Sequence, residues 1–156
     1  MCIRDRCVNI GGVTACLEFC ANDTSCDGPG GICVITLEDA MGAVIPDATL
    51  CSIDCDPLTN NGCTQIPNAG CIIGKDTATG KPFSICAATG NGMQGSPCTT
   101  TADCAPTFSC IGAAPDQQCL QYCGFSPAIP GCPGGTVCTA FDPKLTLGPQ
   151  EYGACL

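Results

Sequence analysis

Hydrophobic residues along this chain occur in short runs that glycine, proline and acidic residues interrupt. The longest runs, around Ile32–Leu37 and Ala43–Pro46, have the length of a β-strand. The first run is rich in β-branched residues, and Glu38–Asp47 can reverse the chain so that Ala48–Cys51 returns beside it. This pattern predicts a β-hairpin with little or no helix.

The sequence between residues 70 and 86 repeats this order of apolar segment, turn and apolar segment. Gly70–Lys75 and Pro82–Cys86 flank Asp76–Gly80, a turn in which Gly80 can adopt a positive φ. A lone two-stranded hairpin is marginally stable in water, so such hairpins need another source of stability. Two further pairs of segments predict two more hairpins: Val137–Phe141 with Tyr152–Cys155, and the shorter Cys110–Ile111 with Gln118–Cys119.

Cysteine content supplies that source of stability. The 156 residues include 19 cysteines but only 5 Phe, 2 Tyr and no Trp, whereas Gly and Pro number 20 and 13. So high a cysteine fraction is typical of a disulfide scaffold, and the shortage of bulky side chains argues against one large core. Disulfides persist in oxidising compartments, so the sequence predicts a secreted, cell-surface or periplasmic protein.

Metal binding is the alternative role for so many cysteines. Zinc ribbons and iron–sulfur sites place two thiolates on one tight turn, typically through C-x2-C. The sequence contains no C-x-C, no C-x2-C and no adjacent cysteine pair, and it contains no histidine. We therefore predict disulfides, with no metal and no cofactor.

The charge and the absence of histidine exclude further classes of function. The formal net charge is −9, from 14 acidic and 5 basic residues, which disfavours binding to nucleic acid or to an anionic membrane. No apolar run of the sequence approaches the ~18–20 residues that a membrane-spanning helix needs. Without histidine there can be no Ser-His-Asp triad and no Cys-His pair, so we expect no catalytic residue.

From Cys20 onward the cysteines fall into four sets of four. Each set has two short intervals followed by a longer one, and such self-similarity marks a tandem array. The sets are Cys20, Cys26, Cys33 and Cys51; Cys55, Cys63, Cys71 and Cys86; Cys98, Cys104, Cys110 and Cys119; and Cys123, Cys132, Cys138 and Cys155. Junctions of three residues connect Cys16 to Cys20, Cys51 to Cys55 and Cys119 to Cys123.

These intervals divide the chain into units. Unit 1 spans residues 20–54, unit 2 spans 55–86, the short unit 3 spans 98–122 and unit 4 spans 123–156, with a glycine-rich linker at 87–97. We expect small disulfide-rich repeats of short β-hairpins and loops in an elongated array, with contacts mainly between neighbouring units. The linker is predicted to be the most mobile internal segment.

The residues before unit 1 do not contain a complete set of four cysteines. Met1–Arg6 resembles a translated sequencing adapter, and we leave it out of the fold prediction. Cys7 and Cys16 have the spacing of the last two cysteines of unit 3, so residues 7–19 are interpreted as the second half of a truncated unit. The pairing of Cys2, Cys7 and Cys16 stays open, although the last two can pair by default. The final two residues match the start of another junction, so we expect the sequence to be a fragment.

Four cysteines can pair in three ways. Pairing the first with the second and the third with the fourth would leave two independent loops, whereas the interleaved scheme ties the N-terminal loop across both hairpin strands. Each crosslink is expected to contribute roughly 3 kcal/mol in the chain-entropy model. We favour the interleaved pairs: Cys20–Cys33, Cys26–Cys51, Cys55–Cys71, Cys63–Cys86, Cys98–Cys110, Cys104–Cys119, Cys123–Cys138 and Cys132–Cys155.

Three weaker motifs have structural interpretations that outweigh the functional ones. Gly90–Gly95 matches the G-x-G-x-x-G dinucleotide fingerprint, but no helical pattern follows it, so a flexible linker is predicted. Asn22-Asp23-Thr24 is a glycosylation sequon, which we interpret as a polar turn. Two acidic pairs lack the spacing of a calcium loop and are interpreted as solvated surface acids: Asp23 with Asp27, and Asp54 with Asp56.

One segment of the sequence resembles a known class of module. Gly95–Cys123, GSPCTTTADCAPTFSCIGAAPDQQCLQYC, resembles the cysteine-rich repeats of large bacterial secreted and surface proteins, in which G-x-x-C-x5-C-x5-C runs recur between C-x3-C junctions. Its lead-in spacing is also similar to that of animal Dickkopf-like and EB-type cysteine modules. The resemblance covers nearly the whole chain from Cys7, and it implies an extracellular, non-catalytic module of a longer polypeptide.

Three functions fit these features, with an extracellular protein or surface ligand of unknown identity as the partner. The first is a structural or adhesive spacer in a larger secreted or surface-anchored protein. The second is an extracellular protein- or ligand-binding module, which an exposed aromatic cluster of Phe108, Tyr122 and Phe125 would favour.

The third function is protease inhibition. An inhibitor presents a rigid, extended loop, closely flanked by cysteines, to the protease. Lys81, five residues before Cys86, fits this requirement best. The candidate residues for the specificity pocket are Lys75, Lys81 and Lys144.

Overall fold

The computed structural model describes residues 5–10, 13–126 and 131–156, and Cys2 lies outside these ranges. Two single-turn 3-10 helices, Asp23–Ser25 and Thr101–Asp103, are the helices of the described residues, so the predicted small disulfide-rich β fold is confirmed. The strands of the described part are β1 (Asp5–Ile10), β2 (Val13–Glu18), β3 (Cys33–Glu38), β4 (Val44–Cys51), β5 (Ala69–Lys75), β6 (Pro82–Ala88), β7 (Phe108–Ile111), β8 (Gln118–Gly124), β9 (Cys138–Leu147) and β10 (Gln150–Cys155).

Antiparallel hairpins account for all the strand pairing within units. Strands β1 and β2, β3 and β4, and β5 and β6 form three separate two-stranded sheets. The β5–β6 hairpin occupies the segments predicted from the sequence, whereas β4 begins at Val44, inside the predicted reversal, so the β3–β4 hairpin is longer than predicted. In the β1–β2 ladder, the backbone of Cys7 is in register with that of Cys16.

Units 3 and 4 each form the predicted hairpin, β7–β8 and β9–β10, but the two hairpins are joined side by side instead of standing apart. They share a four-stranded sheet in the order β7-β8-β10-β9. Strand β8 runs through the junction between Cys119 and Cys123, so its first half pairs with β7 and its second half pairs with β10. The alternating Leu120, Gln121 and Tyr122 keep the junction extended, because Leu120 and Tyr122 are buried and Gln121 is half-buried.

In the described residues, the buried hydrophobic side chains form three small clusters rather than one core. Ala15, Leu17, Leu37 and Leu50 pack the β1–β2 hairpin against unit 1. The other two clusters, in units 2 and 3, consist mostly of disulfide-bonded cysteines. This division agrees with the shortage of bulky side chains in the sequence.

Unit 4 also contacts unit 1, which is not its neighbour in the sequence. Gly148, in the turn between β9 and β10, packs on Pro29, and a Cβ at Gly148 would lie 2.5 Å from the Cβ of Pro29.

Candidate functional site

Each of the four units is held by two interleaved disulfides. In every unit the first cysteine binds the third and the second binds the fourth, which agrees with all eight pairs favoured from the sequence. The Cα–Cα distances of 5.5–5.8 Å fall in the usual range for disulfides. The same covalent frame therefore recurs in units of different length.

The hairpin of each unit brings its third and fourth cysteines side by side. Opposite residues of an antiparallel pair project from the same face, so the preceding loop can reach both of them through the first and second cysteines. The two disulfides consequently pack together, with three of their sulfurs within 4.8 Å of one another. The partners in register are Cys33 with Cys51, Cys71 with Cys86, Cys110 with Cys119, and Cys138 with Cys155.

These sulfur groups have the spacing of a metal site, but each member is already part of a disulfide. A set of thiolate ligands would require reduction of both bridges of a unit, because the thiolate is the form that binds metal. The structure thus shows a small disulfide-rich β protein, which is consistent with an extracellular module. No helix in the described ranges is long and apolar enough to cross a membrane.

Polar side chains fasten the loops that carry the first and second cysteines of units 1 and 2. Asp23 Oδ1 accepts a hydrogen bond from Cys33 N at 3.0 Å, and Asn60 Oδ1 accepts one from Cys71 N at 2.7 Å. Each bond holds the loop against the third cysteine of its unit. Asn22 Oδ1 caps the adjoining 3-10 turn, which confirms the polar turn predicted there.

Two buried serines connect unit 1 to unit 2. Ser84 of β6 is fully buried; its Oγ donates to Ile53 O and accepts from Cys55 N, both at 3.1 Å. Ser52, in the junction itself, donates to Gly30 O at 3.2 Å. Gly30 O also accepts from Ser84 N at 3.0 Å. Hydrogen bonds from both units therefore hold the junction in one conformation.

Residues 87–97 are hydrogen bonded to unit 3, which contradicts the predicted flexible linker. Gly92 N donates to Asp103 O at 3.0 Å, and Ala105 N donates to Gly92 O at 2.9 Å. A Cβ at Gly92 would lie 2.7 Å from Cys119 Sγ and 2.8 Å from Asp103 O. Glycine is thus required here for the close approach of two backbones and not for freedom of movement.

Gln94 extends the contacts of this segment to unit 4. Its side-chain Nε2 donates to Cys155 O at 2.7 Å, and its Oε1 accepts from Gln121 N at 2.9 Å. One amide group therefore joins residues 87–97 to both β8 and β10.

The aromatic residues considered as an exposed binding cluster do not form one. Phe108 and Tyr122 are buried, and Phe125 alone of the three is exposed, at 46%. The Tyr122 hydroxyl accepts a hydrogen bond from Ile73 N at 3.4 Å, so it connects unit 2 with the sheet of units 3 and 4. Burial raises the pKa of Tyr122.

The lysines considered for protease inhibition lie in or beside hairpins, and two of them are ion-paired. Lys81 Nζ lies 2.5 Å from Asp23 Oδ2. Its hydrogen bond lowers the pKa of Asp23, and the carboxylate in turn raises the pKa of Lys81. Lys144 Nζ lies 3.0 Å from Glu151 Oε2 in the β9–β10 hairpin, and Lys75 ends β5. None of the three occupies an extended loop flanked closely by cysteines.

The acidic pairs considered for calcium accept hydrogen bonds from backbone amides. Asp54 Oδ1 accepts from Gly30 N at 2.9 Å, and Asp56 Oδ1 accepts from Leu58 N at 3.0 Å. In the part of the chain that the structure describes, no three carboxylates lie close enough together to share a metal ion. The Asp56 carboxylate therefore stabilises its own turn, and the Asp54 carboxylate holds Gly30 of the preceding loop.

A cleft of about 270 Å³ opens where unit 4 meets the junction between units 1 and 2. Asp54 and Asp56 line one side, Leu147 and Tyr152 of the β9–β10 hairpin line the other, and Pro29 contributes to the rim. We call it the Tyr152 cleft. Tyr152 is 6% exposed, and burial together with the charges of Asp56 and Asp54 raises its pKa to about 12.

Comparisons with known proteins found no match: no family model fits the chain, and neither a curated protein nor a solved structure is significantly similar to it.

Several structurally important residues carried no signal in the sequence. Ser84 and Gln94 act through partners far along the chain, and Tyr152 is placed in its cleft by contacts with units 1 and 2. Gly92 did carry a signal, since glycine is the one residue without a Cβ, but composition alone suggested flexibility instead of close packing.

Proposed function

We propose that the chain is a non-catalytic structural or adhesive spacer in a larger secreted or surface-anchored protein. The observation that carries this proposal is the recurrence of one interleaved disulfide frame in four units whose junctions are hydrogen bonded to their neighbours. Such an arrangement fixes the distance and orientation between the segments that flank it. The absence of histidine from the sequence supports a role without catalysis.

The disulfides also limit how far the chain can be stretched. Within each unit the shortest covalent path runs from the first cysteine to the second and then crosses the second disulfide. Between Cys20 and Cys155 this path includes roughly 50 residues, or about 190 Å, whereas the reduced chain could extend to about 470 Å at ~3.5 Å per residue. A spacer under tension benefits from this limit because its length stays bounded even after hydrogen bonds break.

Residual dipolar couplings of the oxidised protein test the proposal directly. We expect the β3–β4 hairpin, the β5–β6 hairpin and the four-stranded sheet to share one alignment tensor, because the junctions and residues 87–97 hold them in fixed orientations. Independent tensors for these three bodies would show a flexible string of units and would overturn the spacer function.

Single-molecule stretching between residues 20 and 155 gives a second test. The oxidised chain should stop extending near 190 Å, and the same molecule in reductant should continue to about 470 Å. An oxidised chain that lengthens as far as the reduced one would contradict the interleaved frame on which the proposal depends.

A further inference from the structure

The Tyr152 cleft is strongly acidic, and its charge is not neutralised within the protein. The ion pairs of the described residues are Lys81 with Asp23 and Lys144 with Glu151, so neither carboxylate of the cleft has a cationic partner there. A surface carboxylate can be satisfied by water, but two of them beside a buried aromatic ring create a negative potential in a partly desolvated space. This potential favours a cation.

The hydroxyl of Tyr152 is the second, independent sign of a ligand. The residue is more than nine-tenths buried, and its side chain lines the cleft. No described residue makes a hydrogen bond to this hydroxyl, whereas the hydroxyl of Tyr122, which lies deeper in the protein, accepts one from Ile73 N. The described residues contain no buried side-chain nitrogen or oxygen without a hydrogen-bond partner, so the Tyr152 hydroxyl oxygen is open to solvent in the cleft and available to a polar ligand atom.

The apolar residues that line the cleft, together with its volume, indicate which kind of cation fits it. Leu147 is buried beside Tyr152, and Pro29 forms part of the opposite rim, so an aliphatic stem would contact apolar surface. A volume of about 270 Å³ accommodates a single side chain better than a drug-sized molecule. The aromatic ring adds a surface that attracts ammonium groups. Calcium fits less well, because it requires 6–8 oxygen ligands and the described residues bring no third carboxylate to the cleft.

We propose that the Tyr152 cleft binds a primary ammonium group on an aliphatic stem, as found in a lysine side chain or in a free alkylamine. Asp54 and Asp56 attract the ammonium group, the Tyr152 hydroxyl accepts a hydrogen bond from it, and Leu147 contacts the stem. This binding site goes beyond the spacer function and does not depend on it.

Nuclear magnetic resonance of the oxidised protein with labelled tyrosine rings tests the proposal, because the chain has two tyrosines and the Tyr122→Phe variant assigns them. The probes are Nα-acetyl-lysine N-methylamide, n-butylamine, the uncharged norleucine analogue of the first probe, and calcium chloride. We expect the Tyr152 signals to shift with both amines and not with the norleucine analogue. Tighter binding of the lysine derivative would point to a partner peptide, and equal binding of the two amines to a free amine.

Charge-neutral variants provide the control for this site. The double variant Asp54→Asn, Asp56→Asn should weaken amine binding by about tenfold or more. Asparagine keeps an acceptor oxygen for the hydrogen bonds from Gly30 N and Leu58 N. Asp116→Asn, an exposed acid outside the cleft, should leave the affinity unchanged. Equal binding of the norleucine analogue, a response to calcium alone, or unchanged affinity in the double variant would each overturn the proposal. The dipolar couplings that test the spacer function are independent of these outcomes.

Discussion

The substitution Ser84→Ala should destabilise the junction between units 1 and 2 more than substitution of any exposed serine does. The side chain is fully buried and makes two hydrogen bonds, one to Ile53 O and one from Cys55 N. Alanine fills nearly the same space but makes neither bond. Two backbone groups of the junction would then be left without partners, and water cannot reach them without opening the contact with Gly30.

The magnitude follows from those two orphaned groups. A buried backbone group left unsatisfied costs about 1–3 kcal/mol, so two of them should lower the free energy of unfolding by about 2–6 kcal/mol. This loss is comparable to that of a disulfide, although no covalent bond changes. The loss of stability should affect the junction before it affects the units, because the disulfides of each unit remain intact.

Two measurements check this expectation. Guanidinium unfolding of the oxidised protein gives the total loss, with Ser25→Ala as the control, because Ser25 is exposed and should change stability by less than about 0.5 kcal/mol. Amide hydrogen exchange at Ser52, whose N–H donates to Ile32 O, gives the local loss, and about 2 kcal/mol corresponds to about 30-fold faster exchange. If Ser84→Ala matched the control in both, the serine would not hold the junction and the argument from buried hydrogen bonds would fail.

Three further predictions concern other parts of the molecule. Gly92→Ala should lower stability by about 1–3 kcal/mol because its Cβ meets Cys119 Sγ, whereas Gly134→Ala, in open space, should not; calorimetry that finds equal melting temperatures would refute this. Tyr152 should ionise near pH 12, so its contribution to stability is complete below about pH 10 and is lost as the pH rises through 12. Phenolate absorbance in the Tyr122→Phe variant measures this, and ionisation at pH 10 would contradict it. Removing the Cys63–Cys86 bridge by alanine replacement of both residues should cost about 3 kcal/mol, since it closes 23 residues; an unchanged urea midpoint would argue against that value.

The covalent frame was predictable because local signals determine it. Apolar runs around a turn predict a hairpin, and a hairpin places the cysteines at its two bases opposite each other. Once Cys71 and Cys86 lie side by side, the two earlier cysteines of the unit can reach them with no other rearrangement. The pairing therefore involves only cysteines of a single unit, although the hairpin alone does not distinguish the interleaved scheme from one that joins the first cysteine to the fourth and the second to the third.

Relations between units were harder to predict because they depend on residues distant in sequence. The junctions Ser52–Asp54 and Leu120–Tyr122 have the same length, but the second alternates apolar and polar residues and continues a strand that unit 4 extends. Residues 87–97 have the composition of a linker. Their glycines make room for the backbone at Asp103, which lies beside them only when unit 3 is folded.

The third and fourth cysteines of each unit lie opposite each other at the base of its hairpin. The disulfide frame of the unit therefore does not depend on the length of the hairpin beyond them. Between the third and fourth cysteines lie 17, 14, 8 and 16 residues in the four units, yet the two cysteines are partners in register in all of them. The loop beyond that base can lengthen or change its sequence without moving the crosslinks. In unit 1 the tip points into open space, with Met41 exposed and no atom within 4 Å of a Cβ at Gly42. A foreign recognition loop could be grafted there while the fold beneath it stays the same.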